Sequence, residues 1–312
     1  MVGYLFAGQG AQFVGMGKDL YGAFPQSKAV FDKADAVLGF SLSKICFEGP
    51  PEKLTKTNNC QPAILTMSIA AWQAYNSVAN QESQALRYAA GLSLGEYSAL
   101  VAAEALSFED AVYLVRKRGE FMEEEAKKFP GSMASVIGLS LNEIKKICQQ
   151  AKVEVANVNC PAQVVISGGR AEIEEAAKLA IQSGAKRVIP LEVSGAFHSS
   201  FMKGASLRLS RELEKIKINK PAFEVISNVT ADAVSNPQEI KDNLIRQVAN
   251  SVLWEDSMNL LLSKGVNNFI EFGPGKVLKG LMRRISEKAE VKNIEKSQDI
   301  SNLENKEIKN AP

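Results

Sequence analysis

The sequence of 312 residues contains a single histidine, His198. A zinc site built from imidazole ligands uses two or three histidines, so a histidine-rich metal centre is excluded. A reaction that needs an imidazole base must use His198 or proceed without one. This scarcity makes any assignment of a catalytic histidine unusually specific.

Cysteines are few and are poorly spaced for metal or redox chemistry. None of the four, Cys46, Cys60, Cys148 and Cys160, stands at CxxC spacing from another. This spacing argues against a zinc ribbon and against a dithiol redox motif. Reduced, partly buried thiols are the simpler interpretation.

Net charge and long apolar runs are also scarce. The 37 basic and 35 acidic residues give a formal net charge of +2, which offers no electrostatic basis for binding nucleic acid. No run of about 18 apolar residues is present, so we expect no membrane span. The first residues lack the basic segment of a signal peptide. We therefore expect a cytoplasmic protein, with the plastid stroma as an alternative if a transit peptide has been removed from a longer precursor.

The chain contains the alternation of elements that is typical of α/β proteins. Short apolar runs at residues 2–7, 86–90 and 269–272 are each followed by a glycine-rich turn, and the last two turns lead into apolar or amphipathic helical patterns. A strand, a tight turn and then a helix is the order found around parallel sheets. We therefore predict a large α/β unit with a parallel sheet.

The middle of the chain predicts a smaller unit inserted into the larger one. Residues 130–195 show the order βαββαβ, which is the split-βαβ arrangement of ferredoxin-like domains. The predicted boundaries are residues 1–129 and 196–300 for the α/β core and 130–195 for the insert. Residues 301–312 are predicted to form a frayed tail.

The segment 91–95, Gly-Leu-Ser-Leu-Gly, fits the nucleophile elbow G-x-S-x-G. In such a turn Ser93 would be exposed between a strand and a helix, and the flanking glycines would remove side chains that clash. The N–H of the next residue would point toward a developing oxyanion. The alternative is a structural turn in which the serine only caps the helix.

A serine nucleophile needs a base, and His198 is the only imidazole, 105 residues after Ser93. Nucleophile before histidine is the chain order of α/β-hydrolase-like sites. The alternative is an isolated histidine with no chemical task. The sequence does not identify a third member, and a backbone carbonyl is an alternative to an aspartate.

Arg118 falls within an apolar helical stripe formed with Ala111, Val115 and Met122. A guanidinium in such a stripe is costly unless an anion meets it. A buried salt bridge and a snorkelling surface arginine are two interpretations. The third is a substrate carboxylate held by two parallel hydrogen bonds, for which arginine is the preferred side chain.

The turn at residues 8–10, Gly-Gln-Gly, offers a second backbone N–H for an oxyanion, or is a plain strand-to-helix turn. It lacks the Lys-Ser/Thr ending of a phosphate loop. The turn at residues 273–275, Gly-Pro-Gly, has no catalytic side chain and is interpreted as structural.

Together these motifs resemble the malonyl-CoA:acyl carrier protein transacylases of fatty acid synthesis and the related acyltransferase domains of polyketide synthases. The resemblance extends from Phe6 to about Ile285. It is carried by five stretches, residues 6–12, 91–100, 118–122, 157–168 and 273–278. It implies a hydrolase-like α/β core with a ferredoxin-like insert.

The resemblance also implies a role for each motif residue. Ser93 matches the nucleophile, His198 the base, and Arg118 the arginine that holds the malonyl carboxylate. The backbone N–H groups of Gln9 and Leu94 match the oxyanion hole.

Three further residues follow from the resemblance. A backbone carbonyl in segment 250–254, most directly that of Leu253, is expected to orient the histidine. Phe197, in the Ala-Phe-His signature of malonyl-selective members, is expected to restrict branched acyl groups. Asn159 lies in a stretch near the family's pocket. Two departures from the pattern are Leu92, where histidine is usual, and Leu253, where a polar residue is frequent.

The implied activity is transfer of a malonyl group from malonyl-CoA to the phosphopantetheine thiol of acyl carrier protein. It would proceed by ping-pong kinetics through a malonyl-serine, without a metal or cofactor. The expected partners are malonyl-CoA and acyl carrier protein, with no nucleic acid or membrane, and the protein is expected to be a monomer. A serine thioesterase and an inactive carrier-binding scaffold are the rival functions. Four basic residues lie close together in the sequence: Lys276, Lys279, Arg283 and Arg284. They either face an acidic acyl carrier protein or form the solvated face of a helix.

Overall fold

The computed structural model describes residues 1–79 and 86–302. In chain order the strands are β1 (Val2–Phe6), β2 (Arg87–Gly91), β3 (Gly131–Ile137), β4 (Glu154–Cys160), β5 (Gln163–Gly169), β6 (Arg187–Pro190), β7 (Glu224–Ile226), β8 (Ala233–Val234), β9 (Val252–Leu253), β10 (Asn268–Phe272) and β11 (Glu290–Ile294). The helices are α1 (Lys18–Ala23), α2 (Pro25–Leu38), α3 (Leu42–Glu48), α4 (Pro51–Thr55), α5 (Thr57–Val78), α6 (Gly95–Ala102), α7 (Phe108–Lys128), α8 (Leu141–Ala151), α9 (Arg170–Gln182), α10 (Lys203–Glu214), α11 (Pro237–Gln247), α12 (Trp254–Ser263) and α13 (Val277–Ile285).

A six-stranded sheet in the order β11-β10-β1-β2-β7-β8 forms the larger layer. Its neighbours are parallel except for the edge pair β7 and β8, which is antiparallel. Phe6 of β1 lies opposite Gly91 of β2 and Phe272 of β10. The carboxyl ends of these three strands therefore meet at one edge of the sheet, where parallel α/β sheets commonly place their sites.

The parallel sheet is covered on both faces, which explains the continuous apolar character of β1. Tyr4 and Phe6 belong to the core cluster on one face, where the Tyr4 ring lies 4.7 Å from that of Trp72 of α5. Leu5 faces the opposite way and packs in a second cluster that contains Trp254 of α12. Side chains alternate across a strand, so a strand that is buried on both faces is apolar at every position.

The second sheet has five strands in the order β6-β3-β5-β4-β9. The chain order β3, α8, β4, β5, α9, β6 is the predicted βαββαβ order. Helix α8 begins at a capping box in which the Ser140 hydroxyl accepts from the Glu143 N–H and the Glu143 carboxylate accepts from the Ser140 N–H. A third apolar cluster joins α8 and α9 to this sheet.

The structure differs from the predicted division at strand β9, and it describes only the first two residues of the predicted tail. Strand β9 lies in the segment 196–300 assigned to the core, yet it pairs in parallel with β4 of the second sheet, with Val252 opposite Asn157. Pairing across the two units is a long-range contact that local periodicity does not reveal. In the predicted tail, residues 301–302 are helical, and residues 303–312 lie outside the described residues. In the described ranges no helix is both long and apolar enough to cross a membrane.

Gly95, the first residue of α6, lies so close to the backbone of β1 that we expect only glycine to fit there. A Cβ at Gly95 would lie 2.2 Å from the Phe6 carbonyl oxygen, whereas a Cβ at Gly280 within α13 would meet no atom within 4 Å. Gly95→Ala should therefore lower the free energy of unfolding by about 1–3 kcal/mol. Gly280→Ala should raise it by about 1 kcal/mol, because alanine is the better helix former. Urea denaturation of both variants measures these changes, and a Gly95→Ala protein as stable as the parent would contradict the close approach.

Candidate active site

Ser93 occupies a sharp turn between β2 and α6 and has a left-handed backbone, with φ of 53°. A non-glycine residue in this region is strained and persists only where its surroundings hold it. Its N–H donates to Asn228 Oδ1 at 2.6 Å, and its carbonyl accepts from Gln247 Nε2 at 2.9 Å. A Cβ at Gly91 would lie 2.0 Å from the Gly95 carbonyl. Both flanking glycines are thus required by backbone contact, as the elbow motif predicts.

The structure brings His198 to Ser93. The His198 Nε2 atom lies 2.8 Å from the Ser93 Oγ, and the imidazole Nδ1 lies 2.8 Å from the backbone carbonyl oxygen of Gln247. A carbonyl oxygen only accepts hydrogen bonds, so Nδ1 carries the proton and Nε2 is free to accept one from the serine. The two side chains form a nucleophile and base pair that is oriented by a backbone carbonyl.

The expectation that Leu253 supplies this carbonyl is wrong. The Leu253 carbonyl accepts from the Ser257 hydroxyl at 2.7 Å, because Leu253 is the N-cap of α12 and its carbonyl points into that helix. Gln247 ends α11, and the last carbonyls of a helix have no partner within it. A helix carboxyl end also carries partial negative charge, which suits an imidazole that is to gain a proton.

Arg118 lies on α7 with 1% of its surface exposed. Its NH1 donates to Gln61 Oε1 at 2.9 Å, and its NH2 donates to Ser93 Oγ at 3.0 Å and to Gln247 Oε1 at 3.1 Å. Its Nε is buried, and no group in the described part of the chain accepts a hydrogen bond from it. Burial lowers the pKa of Arg118, yet a guanidinium stays protonated in proteins.

This burial distinguishes the three interpretations of Arg118. Within the described ranges no carboxylate lies within 4.0 Å of its nitrogens, so it forms no salt bridge there. It is too buried to be a snorkelling surface residue. A buried cation whose bonded partners are all neutral is suited to an incoming anion.

Three polar residues that support Ser93 are absent from the sequence predictions. Asn228 also donates through Nδ2 to the Gly91 carbonyl at 2.8 Å, while its own N–H donates to Glu96 Oε2 at 3.1 Å. Gln247 Nε2 donates to the same Glu96 oxygen at 2.7 Å. Burial raises the pKa of Glu96 to about 7, and its hydrogen bonds with Gln247 and Asn228 act in the opposite direction.

A signal for one of these residues does exist in the sequence. Gln247 follows Ile240, Asn243 and Leu244 on the buried face of α11, at the spacing i, i+3, i+4, i+7. A polar side chain on a buried helical face is the pattern that also singles out Arg118. Asn228 lies outside any helix or strand and has no comparable local pattern.

A cavity of about 430 Å³ opens onto the serine and histidine. Its walls combine the turns that follow β1 and β2, helix α7 and strands β3 and β4 of the second sheet. The residues that line it are Gln9, Gly10, Gln12, Thr55, Leu92, Ser93, Arg118, Met122, Met133, Asn157, Leu191, Glu192, Val193, Phe197 and His198. Phe197, expected to act in acyl selectivity, is therefore in a position to limit the space beside the base.

The asparagine in this wall is Asn157, so the expectation for Asn159 is wrong. Strand β4 pairs with β5 through Val158 and Cys160, and a register irregularity falls between these two residues. Asn159 is the unpaired residue at this irregularity, and it does not line the cavity. A bulge of this kind re-aims a side chain, so Asn157 and Asn159 need not face the same way although they are two residues apart.

The two predicted oxyanion donors belong to loops that touch. A Cβ at Gly8 would lie 2.5 Å from the Leu92 carbonyl oxygen, so only glycine allows the loop after β1 to approach the elbow this closely. Gln9 lines the cavity and Leu94 follows the nucleophile into α6. In the described part of the chain neither backbone N–H donates to another protein group.

The four basic residues at the start of α13 and within it do not line this cavity. Lys276, Lys279 and Arg283 line a separate groove of about 490 Å³ with β11, and Arg284 donates to Gln163 Oε1 at 2.6 Å. No group of three or more His, Cys, Asp or Glu residues suited to a metal ion occurs among residues 1–79 and 86–302.

Comparison with known proteins assigns this constellation to a family. A family model described as the acyl transferase domain matches residues 3–304. The chain belongs to the acyl transferase domain family. A malonyl CoA-acyl carrier protein transacylase of Bacillus subtilis is 48% identical over 290 residues, which cover 91% of this chain and 90% of that protein.

Solved members of the acyl transferase family share the fold. An acyl carrier protein S-malonyltransferase from Vibrio cholerae is 38% identical, with a TM-score of 0.92 over 97% of this chain and 99% of that chain. A malonyl-transacylase solved in complex with a type II polyketide synthase acyl-carrier protein is 36% identical, with a TM-score of 0.93 over 97% of this chain and 99% of that chain.

The pH dependence of Ser93 reactivity should report the environment of His198. Burial, followed by the charge of Arg118, lowers the pKa of His198 to about 4, against an ordinary value of 6.5. The neutral base therefore persists to low pH, and Ser93 should lose reactivity only as pH falls through about 4. A serine-directed sulfonyl fluoride, with labelling followed by intact mass, measures this midpoint, and Ser93→Ala is the unlabelled control. A midpoint near 6.5 would show that His198 is solvated and not held as described.

Proposed function

We propose that this protein is a malonyl-CoA:acyl carrier protein S-malonyltransferase that acts through a malonyl-serine intermediate. The observation that carries the proposal is Arg118, a buried guanidinium with neutral partners whose NH2 lies 3.0 Å from the Ser93 nucleophile. When an acyl group that ends in a carboxylate is bound to the Ser93 oxygen, its carboxylate lies within reach of Arg118 and supplies the anion that this guanidinium lacks. The names of the relatives point to the same substrate.

In the first half-reaction, His198 Nε2 accepts the Ser93 proton while Oγ attacks the thioester carbonyl of malonyl-CoA. Negative charge forms on the carbonyl oxygen, where the N–H groups of Gln9 and Leu94 are proposed to stabilise it. The C–S bond then breaks, and the CoA thiolate takes the proton from His198. The malonyl group remains as an ester on Ser93.

The second half-reaction repeats these steps in reverse. The phosphopantetheine thiol of acyl carrier protein gives its proton to His198 and attacks the ester carbonyl. The same oxyanion donors act again, and the Ser93 oxygen leaves with the proton from His198. Because CoA departs before the carrier binds, the kinetics are ping-pong. No residue role in this scheme calls for a metal or cofactor.

Substrate choice is proposed to rest on two side chains in the cavity wall. Arg118 would turn from its Ser93 and Gln247 contacts to hold the malonyl carboxylate through parallel hydrogen bonds. Phe197 would fill the space that an α-methyl branch needs. Leu92 also lines the cavity, so the family's usual histidine at this position is replaced by an apolar wall.

The finer architecture is part of the proposal. We interpret the parallel sheet as a hydrolase-like core, residues 1–129 and 196–300, and residues 130–195 as a ferredoxin-like insert. The carrier partner is supported by the relative solved with an acyl-carrier protein. A monomeric state, a cytoplasmic location and the choice between fatty acid and polyketide carriers stay predictions.

Intact mass spectrometry with malonyl-CoA distinguishes the transferase from its rivals. We expect a malonyl adduct that Ser93→Ala abolishes and that phosphopantetheinylated carrier protein discharges rapidly while water does not. Rapid loss to water alone would identify a thioesterase, and no adduct would favour an inactive scaffold. Apo-carrier protein, which lacks the thiol, is the matched control for the discharge step.

Replacing Arg118 should remove preference for malonyl over acetyl groups. Two charge-assisted hydrogen bonds of about 1.5 kcal/mol each correspond to roughly a 100-fold loss in kcat/KM for malonyl-CoA in Arg118→Ala. Acetyl transfer should fall far less, because acetyl has no carboxylate. Arg116→Ala is a matched control on α7, since Arg116 pairs with Glu120 and does not line the cavity. Equal losses for malonyl and acetyl in Arg118→Ala would refute the carboxylate role.

A further inference from the structure

Glu96 is a buried carboxylate that the proposed chemistry does not use. It lies in the first turn of α6, three residues after Ser93, with 2% of its surface exposed. Within residues 1–79 and 86–302 no lysine or arginine forms a salt bridge with it. Burying an unpaired carboxylate is costly, so its presence needs a compensating role.

One oxygen of this carboxylate joins two supports of the nucleophile. Glu96 Oε2 accepts from the Asn228 N–H at 3.1 Å and from Gln247 Nε2 at 2.7 Å. Asn228 holds the Ser93 N–H, and Gln247 holds the Ser93 carbonyl. The two peptide groups that flank Ser93 are therefore tied to the same atom through one intermediate residue each.

The Gln247 amide is oriented by a hydrogen-bond acceptor at one end and a hydrogen-bond donor at the other. Its Nε2 faces Glu96, and its Oε1 accepts from the guanidinium NH2 of Arg118 at 3.1 Å. If the amide were flipped, its oxygen would face the Glu96 carboxylate and the Ser93 carbonyl, and its NH2 would face the Arg118 cation. The acceptor oxygen of Glu96 thus selects the one orientation in which Gln247 also supports Ser93.

The backbone of Gln247 extends this arrangement to the base. Its carbonyl accepts from His198 Nδ1 at 2.8 Å, so a displacement of Gln247 moves the acceptor that fixes the imidazole. Ser93 and His198 both have a left-handed backbone, with φ of 53° and 56°. Strained residues of this kind depend on the surrounding bonds to stay in place.

We propose that Glu96 is a positioning residue that orients Gln247 and Asn228 and thereby keeps Ser93 and His198 in register. The kinetic consequence rests on the proposed malonyl transfer, whereas the structural consequence for His198 does not. Glu96 acts as a hydrogen-bond acceptor for both donors, and this acceptance is what orients the neighbouring amide.

Three variants of Glu96 separate these effects. Glu96→Gln can still accept both bonds through its amide oxygen, so kcat should stay within about threefold of the parent. Glu96→Ala accepts none, and kcat should fall about 100-fold with KM for malonyl-CoA changed less than about threefold, because a misplacement of about 1 Å is worth that much in rate. Glu96→Asp is one methylene shorter, cannot reach both donors, and should lose about tenfold in kcat.

The single histidine provides a second readout that is independent of substrate. Imidazole ¹⁵N resonances distinguish the two tautomers of a neutral histidine. In the parent and in Glu96→Gln they should show a single tautomer, protonated at Nδ1. Glu96→Ala and Glu96→Asp should show a mixture of tautomers. Glu271→Ala is the matched control, because Glu271 is also buried and accepts from the N–H groups of Leu278 and Lys279 in α13, away from the cavity. It should leave kcat and the tautomer unchanged, whatever its effect on stability.

Two results would overturn the proposal. The first is that Glu96→Ala keeps kcat within threefold of the parent and leaves the imidazole spectrum unchanged. If the alanine variant does not fold, the same result in Glu96→Asp decides. The other is a loss in Glu96→Gln as large as in Glu96→Asp, which would show that acceptance of hydrogen bonds does not suffice. If the parent transfers no malonyl group, the proposed function fails, while the imidazole spectra still decide the role of Glu96.

Discussion

The site depends above all on the position of one residue at the end of a helix, Gln247. Its backbone carbonyl fixes the protonated nitrogen of His198, and its side chain contacts the Ser93 carbonyl, Arg118 and Glu96. Ser93 and Glu96 belong to the elbow and the first turn of α6, whereas Arg118, His198 and Gln247 come from three other parts of the chain, so local structure alone does not assemble the group. Because all the bonds are made away from water, each is stronger than at the surface, and loss of one partner leaves others unsatisfied.

Around this point the fold divides its tasks between two sheets. The parallel sheet presents the ends of β1 and β2, whose turns carry Gln9 and Ser93. The second sheet supplies part of the cavity wall through Asn157 and Met133, and the chain that leaves it leads to His198. The reacting groups therefore lie where the two sheets meet, since one apolar cluster contains residues of both, among them Phe6 of β1 and Met133 of β3. Helix α7 adds the buried cation there.

The parts of the site that sequence predicts are those with a local physical signature. Glycines on both sides of Ser93 indicate a turn that a side chain would obstruct, and Arg118 stands out because a cation interrupts an apolar helical stripe. The carbonyl that orients His198 was misplaced at Leu253, since the free carbonyl at the end of α11 has no side-chain signature. The resemblance points to Asn159 only through its stretch of sequence, and the irregularity in β4 that leaves Asn157 in the cavity wall has no signature there. Asn228 and Gln247 act 135 and 154 residues away from Ser93, which local patterns do not report.

The use of a main-chain carbonyl beside His198 has an evolutionary consequence. In a triad with an aspartate, a single codon change removes the orienting group. Here no substitution at position 247 deletes the carbonyl, so the acceptor for Nδ1 is lost only by a change that displaces the end of α11. The same carbonyl carries only a fraction of a unit charge, so it stabilises a protonated imidazole less than a carboxylate would. A base that holds its proton weakly returns it readily to the departing thiol, which suits an exchange between two thioesters of similar energy.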